Sequence, residues 1–147
     1  MSLKVNVKDR IGKPAAEVFA AIVEPEQMSR YFTSRANGAL EAGNKVKWEF
    51  SDVGAEFVVD VREIEPNRRI AFDWAASGAK ARVDIVLDAV DPHTTAVAIH
   101  EAGWPMDDEG VQRALGQTRG WTDFLCCLKA YVQHGINLRA GRSREDH

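Results

Sequence analysis

Residues 95–104 read TAVAIHEAGW. Val97 and Ile99 are two apart and share one face of a β-strand, and the next residue in that phase is Glu101. A carboxylate that follows two apolar residues onto the dry side of a sheet implies a side that closes over a cavity rather than a solid core. Two other readings stay open at this point. The strand can bulge at Ala102–Gly103 and turn Glu101 to water, or Glu101 can form an ion pair with an arginine such as Arg119. Inside an apolar site an ionised carboxylate is costly unless it is paired or hydrogen-bonded. An inward Glu101 is therefore a candidate polar anchor for a ligand, or a proton carrier.

The alternation that picks out this strand recurs along the chain. LKVNVKDRI (3–11) sets Leu3, Val5 and Val7 against Lys4, Asn6 and Lys8. KVKWEF (45–50) sets Val46, Trp48 and Phe50 against Lys45, Lys47 and Glu49. AEFVVDVREIE follows with Phe57, Val59 and Val61 on one side, then IAFDWA with Ile70, Phe72 and Trp74, then KARVDIVLDAV with Val83, Ile85 and Leu87. Such clean alternation belongs to an antiparallel sheet covered on one face and wet on the other, and the short turns favour a meander.

Two short helices are expected after the first strand, PAAEVFAAIV (14–23) and PEQMSRYF (25–32), each opened by a proline. The chain closes with a long helix at about 108–134, with Gly135 placed as its C-terminal cap. Its expected apolar stripe runs Val111, Leu115, Thr118, Thr122, Leu125, Leu128 and Val132, widened by Trp121 and Phe124. Gly116 and Gly120, four apart in that helix, imply close backbone approach, a bend or room for a pocket. The class is α+β: a curved antiparallel sheet of about six strands, in the order β-α-α-β5-α, wrapped around the long C-terminal helix.

With 147 residues and a net charge of −3, the chain reads as one domain over 1–138 with a solvated polar tail over 139–147. The only basic cluster is Arg139, Arg142 and Arg144 in that tail, offset by Glu145 and Asp146, which argues against nucleic-acid binding. No apolar run approaches the ~20 residues of a membrane span. Cys126 and Cys127 are neighbours on a helix and point about 100° apart, so they do not pair, which fits a reducing cytoplasm. His93, His100, His134 and His147 make no metal-binding pattern, and no cofactor fingerprint is present.

Several segments carry a family resemblance. PAAEVFAAIVEPEQMSRYF resembles the opening pattern P-x-x-V-W-x-A-L-T-D-P-x-x-L-x-x-W, with Phe19 and Tyr31 in place of the tryptophans. EAGNKVKWEF resembles x-x-G-G-x-F-x-F, and VREIEPNRRIAFDW resembles V-x-E-x-x-P-x-x-x-L-x-F-x-W. EAGW, followed later by GWTDFLCCLKAYV, resembles the corresponding ending. In this order, over about residues 5–138, the set resembles the START-like (SRPBCC) superfamily and, within it, the activator of Hsp90 ATPase homologue 1-like family. The resemblance implies a helix-grip fold and, at the level of the superfamily, binding of a small hydrophobic molecule between sheet and helix.

The expected ligand-binding set is Tyr31, Trp48, Phe57, Phe72, Trp74, Glu101, Trp104, Trp121 and Phe124, with Tyr31 and Trp104 at the mouth, each keeping one wet edge. An aromatic stripe also fills a core, so both readings stand. A cyclase- or hydratase-like enzyme using Glu101 as acid or base is the alternative, and it needs a second polar group such as Thr118, Asp9 or Tyr31. A chaperone-partner module is a third reading, and a homodimer through a sheet edge or helix face is left open.

Overall fold

The computed structural model describes residues 2–142. Arg144, Glu145, Asp146 and His147, read above as part of a polar tail, lie outside the described residues. The elements are β1 (Ser2–Ile11), α1 (Ala15–Val23), α2 (Pro25–Met28), β2 (Arg35–Ala36), β3 (Lys45–Phe50), β4 (Ala55–Glu65), β5 (Arg69–Trp74), β6 (Ala81–Asp91), β7 (Thr94–Pro105) and α3 (Asp108–His134). The fold is α+β, with one curved, unclosed antiparallel sheet in the order β1-β7-β6-β5-β4-β3-β2. Strands β2 to β7 form a meander, and β1 returns to pair along the free side of β7. The seventh strand is β2, whose two residues pair with Glu49 and Trp48 and are too few to show an alternation.

The expected inner phases hold. Val46, Val59, Val61, Ile70, Phe72, Val83, Ile85, Val97 and Ile99 are all buried. α1 buries Val18, Ala21 and Ile22 against them. α2 stops after four residues because the backbone N–H groups of Tyr31, Phe32 and Thr33 all turn onto the carbonyl of Met28. That tight reversal drives both Tyr31 and Phe32 inward.

α3 ends at the expected Gly135 cap and begins at an N-cap, Asp107, that was not singled out from sequence. Asp107 accepts a hydrogen bond from Gly110 N at 2.7 Å, and Gly135, at φ 67°, returns its N–H to Tyr131 at 2.9 Å. Its buried face differs from the expected stripe. Leu115 is 60% exposed, and Val111, Thr118 and Thr122 are exposed with it. The face turned inward runs Gly110, Ala114, Gln117, Trp121, Phe124 and Leu128, so its first half is small or polar. Tracing the larger apolar residues rotates the helix away from the face that the tertiary structure uses.

On the outer face, Asp73 accepts hydrogen bonds from Arg62 Nε at 2.7 Å and Arg82 Nε at 2.6 Å. Burial pushes its pKa up, but Arg82 and Arg62 more than offset that and hold it below the usual carboxylate range. A lowered folded-state pKa gives stability that is present above the unfolded value and lost as pH falls through the folded one. Both guanidiniums are nearly half exposed. Asp73→Asn is therefore expected to cost about 1–2 kcal/mol at neutral pH. Urea denaturation should find that difference shrinking below about pH 4.

Candidate functional site

Glu101 keeps the phase that its neighbours predict. On β7 it lies between Val5 of β1 and Val83 of β6, and it is 1% exposed. The strand does bulge, but only after it: Leu3 pairs with Trp104 and Lys4 with Ala102, which leaves Gly103 unpaired at φ 136°. The extra residue returns Trp104 to the same inner side as Glu101, where plain alternation would have put it outside. A side chain at 103 would sit 3.1 Å from the Lys80 carbonyl in a backbone conformation that L-residues rarely adopt.

The buried carboxylate has three partners. Oε1 accepts from Trp121 Nε1 at 2.7 Å and from Gln117 Nε2 at 2.9 Å, while Oε2 accepts from Trp74 Nε1 at 2.9 Å. Arg119 is exposed and forms no ion pair with it. Both oxygens accept from N–H groups, two on Oε1 and one on Oε2, and none of the three donors is charged. The two indoles are thereby fixed with their rings 5.3 Å apart and inclined at 34°.

Those rings form one wall of a cavity of about 190 Å³ between the sheet and α3. Phe32, Phe50 and Phe57 supply further rings, and Gln117, Asp123 and Arg139 are its polar lining. Val53, 70% exposed, and Gly120 mark its mouth. Nothing lies within 4 Å of where a Cβ would sit on Gly116 or Gly120, so close backbone approach explains neither glycine; Gly120 instead borders the open space.

Of the residues singled out from sequence, Phe57, Trp74 and Trp121 line the cavity. Trp48, Phe72 and Phe124 stand one layer behind, edge-on to them: Trp48 is 5.8 Å and Phe72 5.4 Å from Trp74, and Phe124 is 5.4 Å from Trp121. Tyr31 and Trp104 are not at the mouth and have no wet edge, since each is 1% exposed. Tyr31 donates to the Ala21 carbonyl at 3.0 Å and stacks on Tyr131, and burial followed by its neighbours pushes its pKa well up. Trp104 donates to Ser77 Oγ at 3.0 Å. Thr118 bonds its own helix and Asp9 pairs with Lys129 at the rim, so neither reaches Glu101.

Sequence reasoning missed Gln117, although it stands four residues before Trp121 and so shares its helix face. It also missed Arg139, assigned above to a solvated tail. Beyond Gly135 the chain doubles back, and the Arg139 side chain is only 14% exposed. Its Nη2 donates to the Asp52 carboxylate, Nη1 lies 3.6 Å from Asp123, and the guanidinium covers the rings of Phe32 and Phe50 at 5.7 and 5.5 Å. Arg142 grips Asp123 through two bonds of 2.8 and 3.1 Å. Hydrogen bonding from Arg142 lowers the Asp123 pKa against the opposing effect of burial. Cys126 and Cys127 are unpaired, and burial together with Asp123 pushes the Cys127 thiol up to about 11. Among the described residues no cluster of His, Cys, Asp and Glu could hold a metal ion, and no helix is long and apolar enough to cross a membrane.

The family described as Activator of Hsp90 ATPase homolog 1-like protein matches residues 13–133. The chain belongs to this family. Among solved structures, the AHSA1-like chain is similar to protein SSP2350 from Staphylococcus saprophyticus at 29% identity and a TM-score of 0.80, covering 94% of this chain and 97% of that one. It is also similar to DynU16, from the dynemicin biosynthetic locus, at 22% identity and 0.79, covering 90% and 48%. The Aha1 dimer from Colwellia psychrerythraea is similar at 19% and 0.77, covering 92% and 99%. At 22% and 19% identity the likeness concerns the fold alone. Among curated proteins none matches the chain.

Glu101→Ala removes the acceptor of two buried indole N–H groups, each worth about 1–3 kcal/mol when left unsatisfied, and of the part-buried Gln117 amide. A loss of about 3 kcal/mol or more in chemical denaturation is expected, with altered tryptophan emission in the native state.

Proposed function

We propose that this AHSA1-like protein binds one small, largely apolar molecule in the cavity between the sheet and α3. The observation that carries the reading is the wall formed by Trp74 and Trp121, two indoles whose N–H edges are tied to one buried carboxylate and whose rings border open space. Rings held in this way need no ordering when a ligand arrives, which favours affinity. A cavity of about 150 Å³ admits benzene and drug-sized ligands occupy roughly 300–1,000 Å³. A volume of about 190 Å³ therefore suits a single substituted ring or a compact branched group rather than a long lipid.

The size of the space also bears on Gly120. A glycine inside a helix costs about 1 kcal/mol relative to alanine. Here no neighbouring atom demands one, whereas a side chain would enter the mouth. Glu101 is assigned to positioning rather than to proton transfer, because both its oxygens are occupied by the rings and amide that it holds. The chaperone reading draws no support beyond the family's description and a shared fold. We assign the protein to the cytoplasm on its unpaired cysteines, one of them exposed; recovery from the secreted fraction of its host would overturn that.

Native mass spectrometry of the protein from its own host should reveal a retained small molecule. Apolar probes should compete for one site and quench tryptophan emission. Gly120→Leu should weaken them about tenfold or more while leaving thermal stability equal or higher, because leucine favours the helix. Probe binding that survives both Gly120→Leu and Trp121→Ala unchanged places the site elsewhere.

A further inference from the structure

The charge on Glu101 is not neutralised by any of its bonds. Its three partners are neutral N–H groups, whereas the other charges around the cavity pair off: Asp123 with Arg142, and Arg139 with Asp52. Those five side chains sum to one net negative charge, and it lies directly behind the indoles of Trp74 and Trp121. Donating an N–H to a carboxylate adds electron density to an indole, whose face already attracts cations. The cavity therefore combines electron-rich ring faces with an unbalanced negative charge behind them.

The chain already puts a cation in one half of this aromatic box. The Arg139 guanidinium covers Phe32 and Phe50, within the ~6 Å over which cation–π attraction operates. Its own charge is met by Asp52 and Asp123. The other half, formed by Phe57, Trp74 and Trp121, carries no such occupant among the described residues.

We infer that the cavity selects an organic cation whose charge is wrapped in methyl or methylene carbon, of the quaternary ammonium kind, seated against Trp74, Trp121 and Phe57. The inference rests on the reading of the cavity as a ligand site and adds the ligand's charge. A neutral molecule of the same shape keeps the apolar contacts and loses the attraction to the ring faces. An anion of the same shape is repelled by the unbalanced charge of Glu101 behind the two indoles.

Three probes of nearly one shape separate these cases: choline, 3,3-dimethylbutan-1-ol and 3,3-dimethylbutanoate, each titrated by tryptophan emission and by ligand-observed NMR. Choline is expected to bind tightest, about tenfold over the alcohol, with the carboxylate weakest. Glu101→Gln should narrow the margin of choline over the alcohol to less than about threefold. If the alcohol or the carboxylate matches or exceeds choline, the charge inference fails and the cavity reading stands. If none of the three binds, both fail. Where Glu101→Gln does not fold, the ranking by the unaltered protein decides the matter alone.

Discussion

One carboxylate, buried on β7, holds two indoles and an amide through three N–H bonds, and the sheet, α3 and the cavity are tied together at that point. Withdrawing such an ion from water costs several kcal/mol. Hydrogen bonds to a charged group return about 1.5–3 kcal/mol each, so three of them are of the right size to offset it without a cation. The arrangement links β5, β7 and α3 through contacts 16 to 27 residues apart in sequence, and it requires each partner to arrive with its N–H edge turned inward. Hydrophobic burial alone would not specify those ring orientations, because a tryptophan buries nearly the same area in several of them.

The cavity follows from the same constraint. With their edges held by Glu101, Trp74 and Trp121 cannot rotate into the gap that α3 leaves above the curved sheet. The layer behind them, Trp48, Phe72 and Phe124, meets them edge-to-face or nearly so and further limits their movement. The gap is closed on another side by Arg139, whose planar guanidinium lies over phenylalanine faces and bonds Asp52 in the loop after β3. The walls thus come from the meander, the final helix and the segment beyond it.

The strands were legible because a period of two survives even where one residue breaks it, as exposed Val58 does in β4. The inward phase of Glu101 was legible for the same reason, and so were the span of α3 and its C-terminal cap at Gly135. The buried face of α3 was not: Val111 and Leu115 outweigh Ala114 and Gln117 on any scale of side-chain hydrophobicity, yet the fold turns the smaller pair inward. Tyr31 and Trp104 carry polar tips that suggest a wet edge, but Ala21 O and Ser77 Oγ satisfy those tips inside the protein. Such partners depend on loops meeting in space, and nothing in local spacing announces them. Arg139 was hidden in the same way, by a reversal after Gly135 that returns this one side chain to the cavity while its neighbours on both sides stay exposed.

That reversal has a practical corollary. A protease cut after Leu138, or a rigid fusion joined there, would strip one side from the chamber while sparing the sheet and the long helix. Trimmed material would still look native by far-ultraviolet circular dichroism while its recognition properties had changed.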